Sequence, residues 1–373
     1  MVIMALDHVR DYFHFDSFFY DPTDLGQTNP ALFFTRFITH FCAPVFVFLA
    51  GTSAFFVGRR LSKKALSIWL LKRGFWLLLA EVTILKFGWT FSLDYSTVVL
   101  QVIWALGIGM ICLAGFIHLP KYAVIAICLL GVAGHNLLDG YMPAGQITGG
   151  IWKVLHISDF LAAGQLPFFI AYPLIPWIFV MPLGYYFGLW YRSGVEPGIR
   201  IRRLTRLGLV LTGLFFVLRA LNIYGDPTPF AMQDSATYSL LSFFNLTKYP
   251  PSLLYLLVTL GPSILFLAAA ERFEAKWTGP LVVIGRVPMF FYIIHIYAIH
   301  ILAVFAVVLS GHNASDMVIS FWVSNEPQLQ GYGFGLWMVY LVWMVLVLAL
   351  YPLCYQYDAY KTRNRQFWWL SYL

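Results

Sequence analysis

The chain has 373 residues, 60% of them hydrophobic and 11% charged, with a formal net charge of +7 and a mean hydropathy of +0.74. A soluble domain carries about 25% charged and about 45–50% apolar residues, and disorder requires low hydrophobicity with high net charge; both classes are excluded. A pI near 9.1 would suit a nucleic-acid binder, but the cations lie between apolar blocks, where membrane topology accounts for them.

Strand-like alternation is absent, so an all-α, polytopic helical bundle is expected rather than a barrel. A span needs roughly 20 mostly apolar residues. The chain opens as MVIMALDHVRDYFH, with six residues before the first charge, so the first helix reads as one shortened at its N-terminus. On it Asp7, Arg10, Asp11 and His14 fall at i, i+3, i+4 and i+7, one face of a helix, with His8 about a third of a turn away. Ionisable residues in a span are costly and raise a functional hypothesis by default. Two readings stand: an ion-paired stripe that holds the bundle together, or a catalytic or transport site near the outer membrane surface.

Apolar blocks follow at about 37–57, 66–86, 97–117, 121–138, 167–190, 206–224, 251–270, 281–309 and 333–354, which with the short first helix makes about 10 transmembrane helices. The second helix brings Arg36 and His40 at i and i+4, with Pro44 a turn later. Glu81, in the third, is expected to pair with a nearby Lys or Arg. Before the block at 251–270 stands Thr247-Lys-Tyr-Pro-Pro-Ser252, where prolines suit a helix start. Lys248 and Tyr249 there either anchor the interface or face an acceptor. The block at 281–309 holds Arg286, Tyr292, His295 and His300, with Tyr292 and His295 spaced to share a face.

Basic residues set the orientation. Arg59, Arg60, Lys63 and Lys64, then Arg192, Arg200, Arg202, Arg203 and Arg206, then Arg272 and Lys276, and finally Lys361, Arg363 and Arg365 fall on one side when spans alternate. The positive-inside rule makes that side the cytoplasm. The loops at about 15–32, 139–166, 225–248 and 311–332 then face outward. Cys42, Cys112, Cys128 and Cys354 all lie in apolar segments and form no CxxC or Cys/His cluster, so neither a disulfide framework nor a metal is expected. No Walker loop, GxSxG or HExxH occurs, and no internal repeat.

LDHVRDYFH, then THFCAPVFVFLAGTSAFF at 39–56, AYPLIPWIFVMPLGYYFG at 171–188, TKYPPSLLYLLVTLGP at 247–262 and GRVPMFFYIIHIYAIH at 285–300 resemble, in this order, the heparan-α-glucosaminide N-acetyltransferase-like family of bacterial membrane proteins. That family belongs to the transmembrane acyltransferases. Its members usually carry an Asp-x-x-Arg-Gly stretch before the apolar half of the first helix, which this chain lacks. The resemblance implies a single transmembrane acyltransferase domain over 1–373, multi-pass in a bacterial inner (plasma) membrane. It implies transfer of an acetyl group from cytoplasmic acetyl-CoA to an amine or hydroxyl of a glucosamine-like acceptor on the outer face. The lysosomal members use a histidine just past the first helix, with an asparagine upstream; here His14 stands past the helix and Asp7-His8 upstream. His14, then His40, then His8 are the candidates for the base, with Asp7 or Asp11 orienting it.

The inner-face cations Arg59, Arg60, Lys63, Lys64, Arg203, Arg206 and Arg286 suit the CoA phosphates. Arg10, Arg36, Lys248, Tyr249, Tyr292 and His295 are the candidates for contact with substrate. The partners expected are acetyl-CoA, a saccharide, the bilayer and a second copy in a homodimer, with no nucleic acid. The alternative is a proton-coupled small-solute transporter that uses the same Asp, His and Arg residues as a relay.

Overall fold

The computed structural model describes residues 1–163, 166–272, 278–323 and 326–372. In chain order the helices are α1 (Val2–Phe13), α2 (Pro30–Thr39), α3 (Cys42–Gly58), α4 (Lys63–Ala80), α5 (Lys86–Thr90), α6 (Val102–Phe116), α7 (Lys121–Gly134) and α8 (Gln146–His156). They continue as α9 (Trp177–Phe187), α10 (Pro197–Leu221), α11 (Ala236–Phe244), α12 (Leu253–Ala270), α13 (Gly279–Arg286), α14 (Pro288–Leu309) and α15 (Leu336–Arg363). Three short strands, β1 (Val98–Leu100), β2 (Phe160–Ala163) and β3 (Leu166–Ile170), form a sheet of order β1-β3-β2. β2 and β3 are antiparallel, from Phe160 opposite Phe169 to Ala163 opposite Leu166.

Among the described residues six helical segments are long and apolar enough to cross a membrane: Pro30–Gly58, Lys121–Leu138, Pro197–Leu221, Leu253–Ala270, Pro288–Leu309 and Leu336–Arg363. Val102–Phe116 is apolar but shorter. The chain is thus an all-α polytopic membrane protein. Some apolar blocks resolve into more than one element. The block at 167–190 begins as strand β3, and its helix starts only at Trp177, after Pro173 and Pro176. The block at 281–309 breaks into α13 and α14 at Val287-Pro288. α10 begins at Pro197, so Arg200, Arg202, Arg203 and Arg206 ride on the helix itself. α1, with 12 residues, reaches about 18 Å at 1.5 Å per residue, well short of a bilayer core of about 30 Å.

The chain folds as two compact units. The first comprises Met1–Cys42, Val82–Val98 and the described residues from 278 on. In it α1 packs against α2, α14 and α15, and α5 against α14. Backbone bonds tie the end of α1 to the approach to α15: Phe334 N–H donates to Phe13 O (2.7 Å), and Phe15 N–H to Phe334 O (3.2 Å).

The second unit holds Ala43–Glu81 and the described residues from 99 to 272, with α4 against α6, α6 and α7 against α9, and α10 against α12. Glycine lets two of its backbones touch. A Cβ on Gly51 of α3 would lie 2.0 Å from Met181 O, and one on Gly184 of α9 would lie 1.9 Å from Phe48 O. Thr52 Oγ1 donates to Gly184 O across the same crossing (2.9 Å). With no hydrophobic force between helices in lipid, close packing of small residues is what holds such pairs. Glu81 does not take the Lys or Arg partner expected of it. Its Oε1 accepts from Gln101 N–H (2.6 Å), supplying a cap that Gln101 itself does not give to α6.

Candidate functional site

α1 is buried on almost every side, from Met4 to Arg10, so each of its polar groups needs a protein partner. Its two polar faces find different ones.

The first face is ionic. Arg36 Nη1 donates to both carboxylate oxygens of Asp7 (2.8 and 2.6 Å). Arg10 Nη2 lies 3.0 Å from Asp7 and 2.5 Å from Asp11. Asp7 and Arg36 are each 8% exposed and Arg10 2%. Charges this buried persist because they neutralise one another; removing one partner of such a pair costs about 3–5 kcal/mol. The i, i+3, i+4 spacing of Asp7, Arg10 and Asp11 puts the three on one side, and α2 brings the second cation to it.

The second face is aromatic and imidazole. His8 and Tyr12, at i and i+4, look toward α14 and α5. His8 Nδ1 lies 2.7 Å from His295 Nε2 on α14. The two rings stack 5.0 Å apart, and Trp89 and Tyr292 meet His8 edge-on at 4.7 and 5.9 Å. Tyr12 donates its hydroxyl to Trp89 O, fixing the rotation of α1 one turn further on.

The tautomers follow from the partners. His295 Nδ1 lies 2.9 Å from Phe291 O, a carbonyl that can only accept, so Nδ1 carries the proton. With both rings neutral, His295 Nε2 is then the acceptor and His8 Nδ1 the donor. The lone pair of His8 is therefore on Nε2.

The other histidines are placed differently. His14 Nδ1 accepts from Asp16 N–H (3.2 Å) and caps the 3-10 turn Phe15–Phe18, and its ring stacks on Phe15. Its lone pair is already engaged. His300 has a backbone carbonyl at each ring nitrogen, Gly88 O at 2.9 Å and Met317 O at 2.8 Å, and stacks on Phe91 at 3.7 Å. It clamps α14 to α5. His40 sits at the C-cap of α2, beside Phe37.

Of the remaining sequence candidates, Arg286 is in the first unit, 3.5 Å from Asp358 and largely exposed. Arg59, Arg60, Lys63 and Lys64, around the turn from α3 to α4, and Arg203 and Arg206, on α10, are exposed residues of the second unit. Arg59 donates to Ser193 Oγ (2.6 Å). Lys276 lies outside the described residues. Lys248 and Tyr249, also of the second unit, belong to a loop organised by Asp226. That carboxylate accepts from Thr247 N–H (2.9 Å), Thr247 Oγ1 (3.0 Å), Thr228 N–H (2.8 Å) and Ser252 Oγ (2.5 Å). Burial still holds it above the ordinary carboxylate range. Lys248 lies over the Tyr249 ring (5.0 Å), and Tyr249 meets Tyr172 edge-on.

Sequence reasoning passed over three features. Trp89, in the run FGWT, borders His8 on a helix with no charge pattern to mark it. Arg219, 1% exposed, donates to the carbonyls of Thr228, Ser242, Phe243 and Asn245 and so caps the end of α11. His156 Nε2 meets Asp139 (3.2 Å), and the His135 ring lies edge-on to it at 5.6 Å. Among the described residues no group of three or more His, Cys, Asp or Glu side chains could hold a metal ion.

A family model described as heparan-alpha-glucosaminide N-acetyltransferase, catalytic, matches residues 3–225, more than half of the chain. The match takes in α1 and α2 with their ionic face and His8, and ends before His295. No curated protein and no solved structure matches the chain.

Proposed function

The chain belongs to the heparan-alpha-glucosaminide N-acetyltransferase family, and from that premise we propose that this membrane acetyltransferase takes its acetyl group from acetyl-CoA on the cytoplasmic side and gives it to an amine or hydroxyl of a glucosamine-like sugar on the other. Acetyl-CoA is made in the cytoplasm and does not cross bilayers, so a protein that acetylates an outside sugar must pass the acyl group through its own core. The basic stretch around Arg59–Lys64 faces the cytoplasm by the positive-inside rule and suits the phosphates of CoA.

The observation that carries the chemical part is the His8–His295 pair. A general base needs a lone pair at a defined atom, held by a partner that fixes its tautomer. His295, itself locked on Phe291 O, leaves His8 Nε2 as that atom. His8 is therefore the base, ahead of His14 and His40. Its Nε2 takes a proton from the attacking amine or hydroxyl. The nitrogen or oxygen bonds to the acetyl carbonyl carbon, the carbon–sulfur bond breaks, and the proton passes from His8 to the departing thiolate. The Asp7–Arg36–Arg10–Asp11 network sets the rotation of α1 that turns His8 toward α14.

The test uses the purified chain in proteoliposomes, with acetyl-labelled acetyl-CoA outside one face and D-glucosamine at the other. Label in acetylglucosamine, lost in His8→Ala with acetyl-CoA binding retained, supports the reading. Movement of glucosamine without label transfer overturns it in favour of a transporter.

A further inference from the structure

A second site lies away from the histidines, wholly within the second unit. Where α7 starts, where the 3-10 turn after α9 ends (Gly188–Tyr191) and where α10 begins, the chain forms a half-open cavity of about 460 Å³. Lys121, Arg192 and Arg203 line it together with Trp190, Leu189 and Ile199. No carboxylate lines it, and among the described residues none of the three cations has an ion-pair partner. Lys121 lies over the Tyr122 ring (4.6 Å), and Arg200, on the same helix as Arg203, makes the contrast: its guanidinium is paired with Glu271 (2.7 Å).

We propose that this cavity holds the phosphate of an anionic phospholipid. Orientation of the chain explains cations at helix ends but not three of them converging on a hollow, nor the apolar wall beside them. α7 with its following turn and α10 are both long and apolar enough to cross a membrane, so their N-terminal ends mark the water boundary, the level of the headgroups. Trp190 is the residue type that sits at that level, an apolar body with one polar edge. Leu189 and Ile199 offer the glycerol and the first methylenes a surface that a soluble phosphate would not need. The volume falls in the range of small-molecule pockets, roughly 300–1,000 Å³. Basic pockets between transmembrane helices on the cytoplasmic side are a general means of recognising such headgroups.

The experiment is native mass spectrometry of the purified full chain in neutral detergent, titrated with phosphatidylglycerol, with phosphatidylcholine and with CoA. The wild type is expected to hold phosphatidylglycerol at least about tenfold more tightly than phosphatidylcholine. Lys121→Gln/Arg192→Gln/Arg203→Gln should weaken the anionic lipid about a hundredfold, near fivefold per cation removed. Lys361→Gln/Arg363→Gln/Arg365→Gln, an equal loss of charge elsewhere, should leave it within about twofold. Should the triple variant fail to fold, Lys121→Gln and Arg203→Gln alone are each expected to give the fivefold loss. Unchanged lipid affinity in the folded cavity variants overturns the proposal, as does an equal loss in the distant triple. Displacement of the lipid by CoA assigns the cavity to a soluble nucleotide and overturns it too.

Discussion

If His295 acts through His8, the two cannot be removed independently. Replacing His295 by Leu keeps the bulk of a fully buried side chain but removes the acceptor 2.7 Å from His8 Nδ1. That bond becomes charge-assisted when His8 takes the proton, and a hydrogen bond to a charged group is worth about 1.5–3 kcal/mol. At about 1.36 kcal/mol per decade, its loss predicts a fall in kcat of roughly 10- to 150-fold. His8→Ala should cost about 10²–10⁴, the usual worth of a general base. The double variant His8→Ala/His295→Leu should then be no slower than His8→Ala, because His295 has nothing left to position. Residues acting independently would instead multiply their losses. The assay is initial-rate transfer of label from acetyl-CoA to D-glucosamine, with the KM for acetyl-CoA and the thermal midpoint measured on each variant. The expected pattern is a kcat effect at nearly constant KM. Multiplicative losses, or a normal rate in His8→Ala, would refute the tautomer argument.

The ionic face makes a structural prediction: Arg36→Gln strips Asp7 of its closest cation and should destabilise the protein by about 3 kcal/mol, with part recovered in Asp7→Asn/Arg36→Gln, as read from thermal midpoints in detergent. Gly184→Ala should cost more than about 3 kcal/mol, because its Cβ would sit 1.9 Å from a backbone oxygen, whereas Gly198→Ala, with nothing within 4 Å, should be silent in the same scan. Asp139 carries a pH signature. Burial opposes its charge, but the hydrogen bonds from His156 and Asn136 and the nearby His135 prevail and hold its pKa below the ordinary carboxylate value. A group with a depressed folded pKa gives stability that is present above the unfolded pKa of about 3.9 and lost as pH falls through the folded one. The thermal midpoint of the wild type should therefore fall below about pH 4 more steeply than that of Asp139→Asn.

How much could be read in advance depends on the range of the interaction. The apolar blocks are set by about 20 neighbouring residues, and most of them coincide with helices. They mislead where proline acts, as at Pro173 and Pro176, because hydropathy registers grease and not the missing N–H. The stripe Asp7, Arg10, Asp11 is legible because helical spacing alone puts the three on one side. What joins them to Arg36 is close in sequence. The His8–His295 pair is not legible: the residues lie 287 positions apart, and nothing in either segment names the other. The place of His14 past the first helix points to it, yet its ring nitrogen serves the turn that follows. Charge alone points Glu81 to a cationic partner, whereas its carboxylate accepts from the Gln101 N–H at the start of α6. Arg219 shows the same blindness, since backbone carbonyls leave no mark in a sequence.

The two faces of α1 also differ in when they can be completed. Asp7 meets Arg36 only 29 residues later, whereas His8 meets His295 after 287. At synthesis rates of about 5–20 residues per second, the first pairing is within reach in roughly 1.5–6 s and the second only after roughly 15–60 s. The buried charges can thus be neutralised while most of the chain is still unmade, and α1 can be held in the nascent protein by α2. Its imidazole meanwhile waits for α14 to leave the ribosome. A chain stopped short of α14 holds both partners of the Asp7–Arg36 pair but lacks His295, so the imidazole pair is completed near the end of synthesis, after the framework that surrounds it.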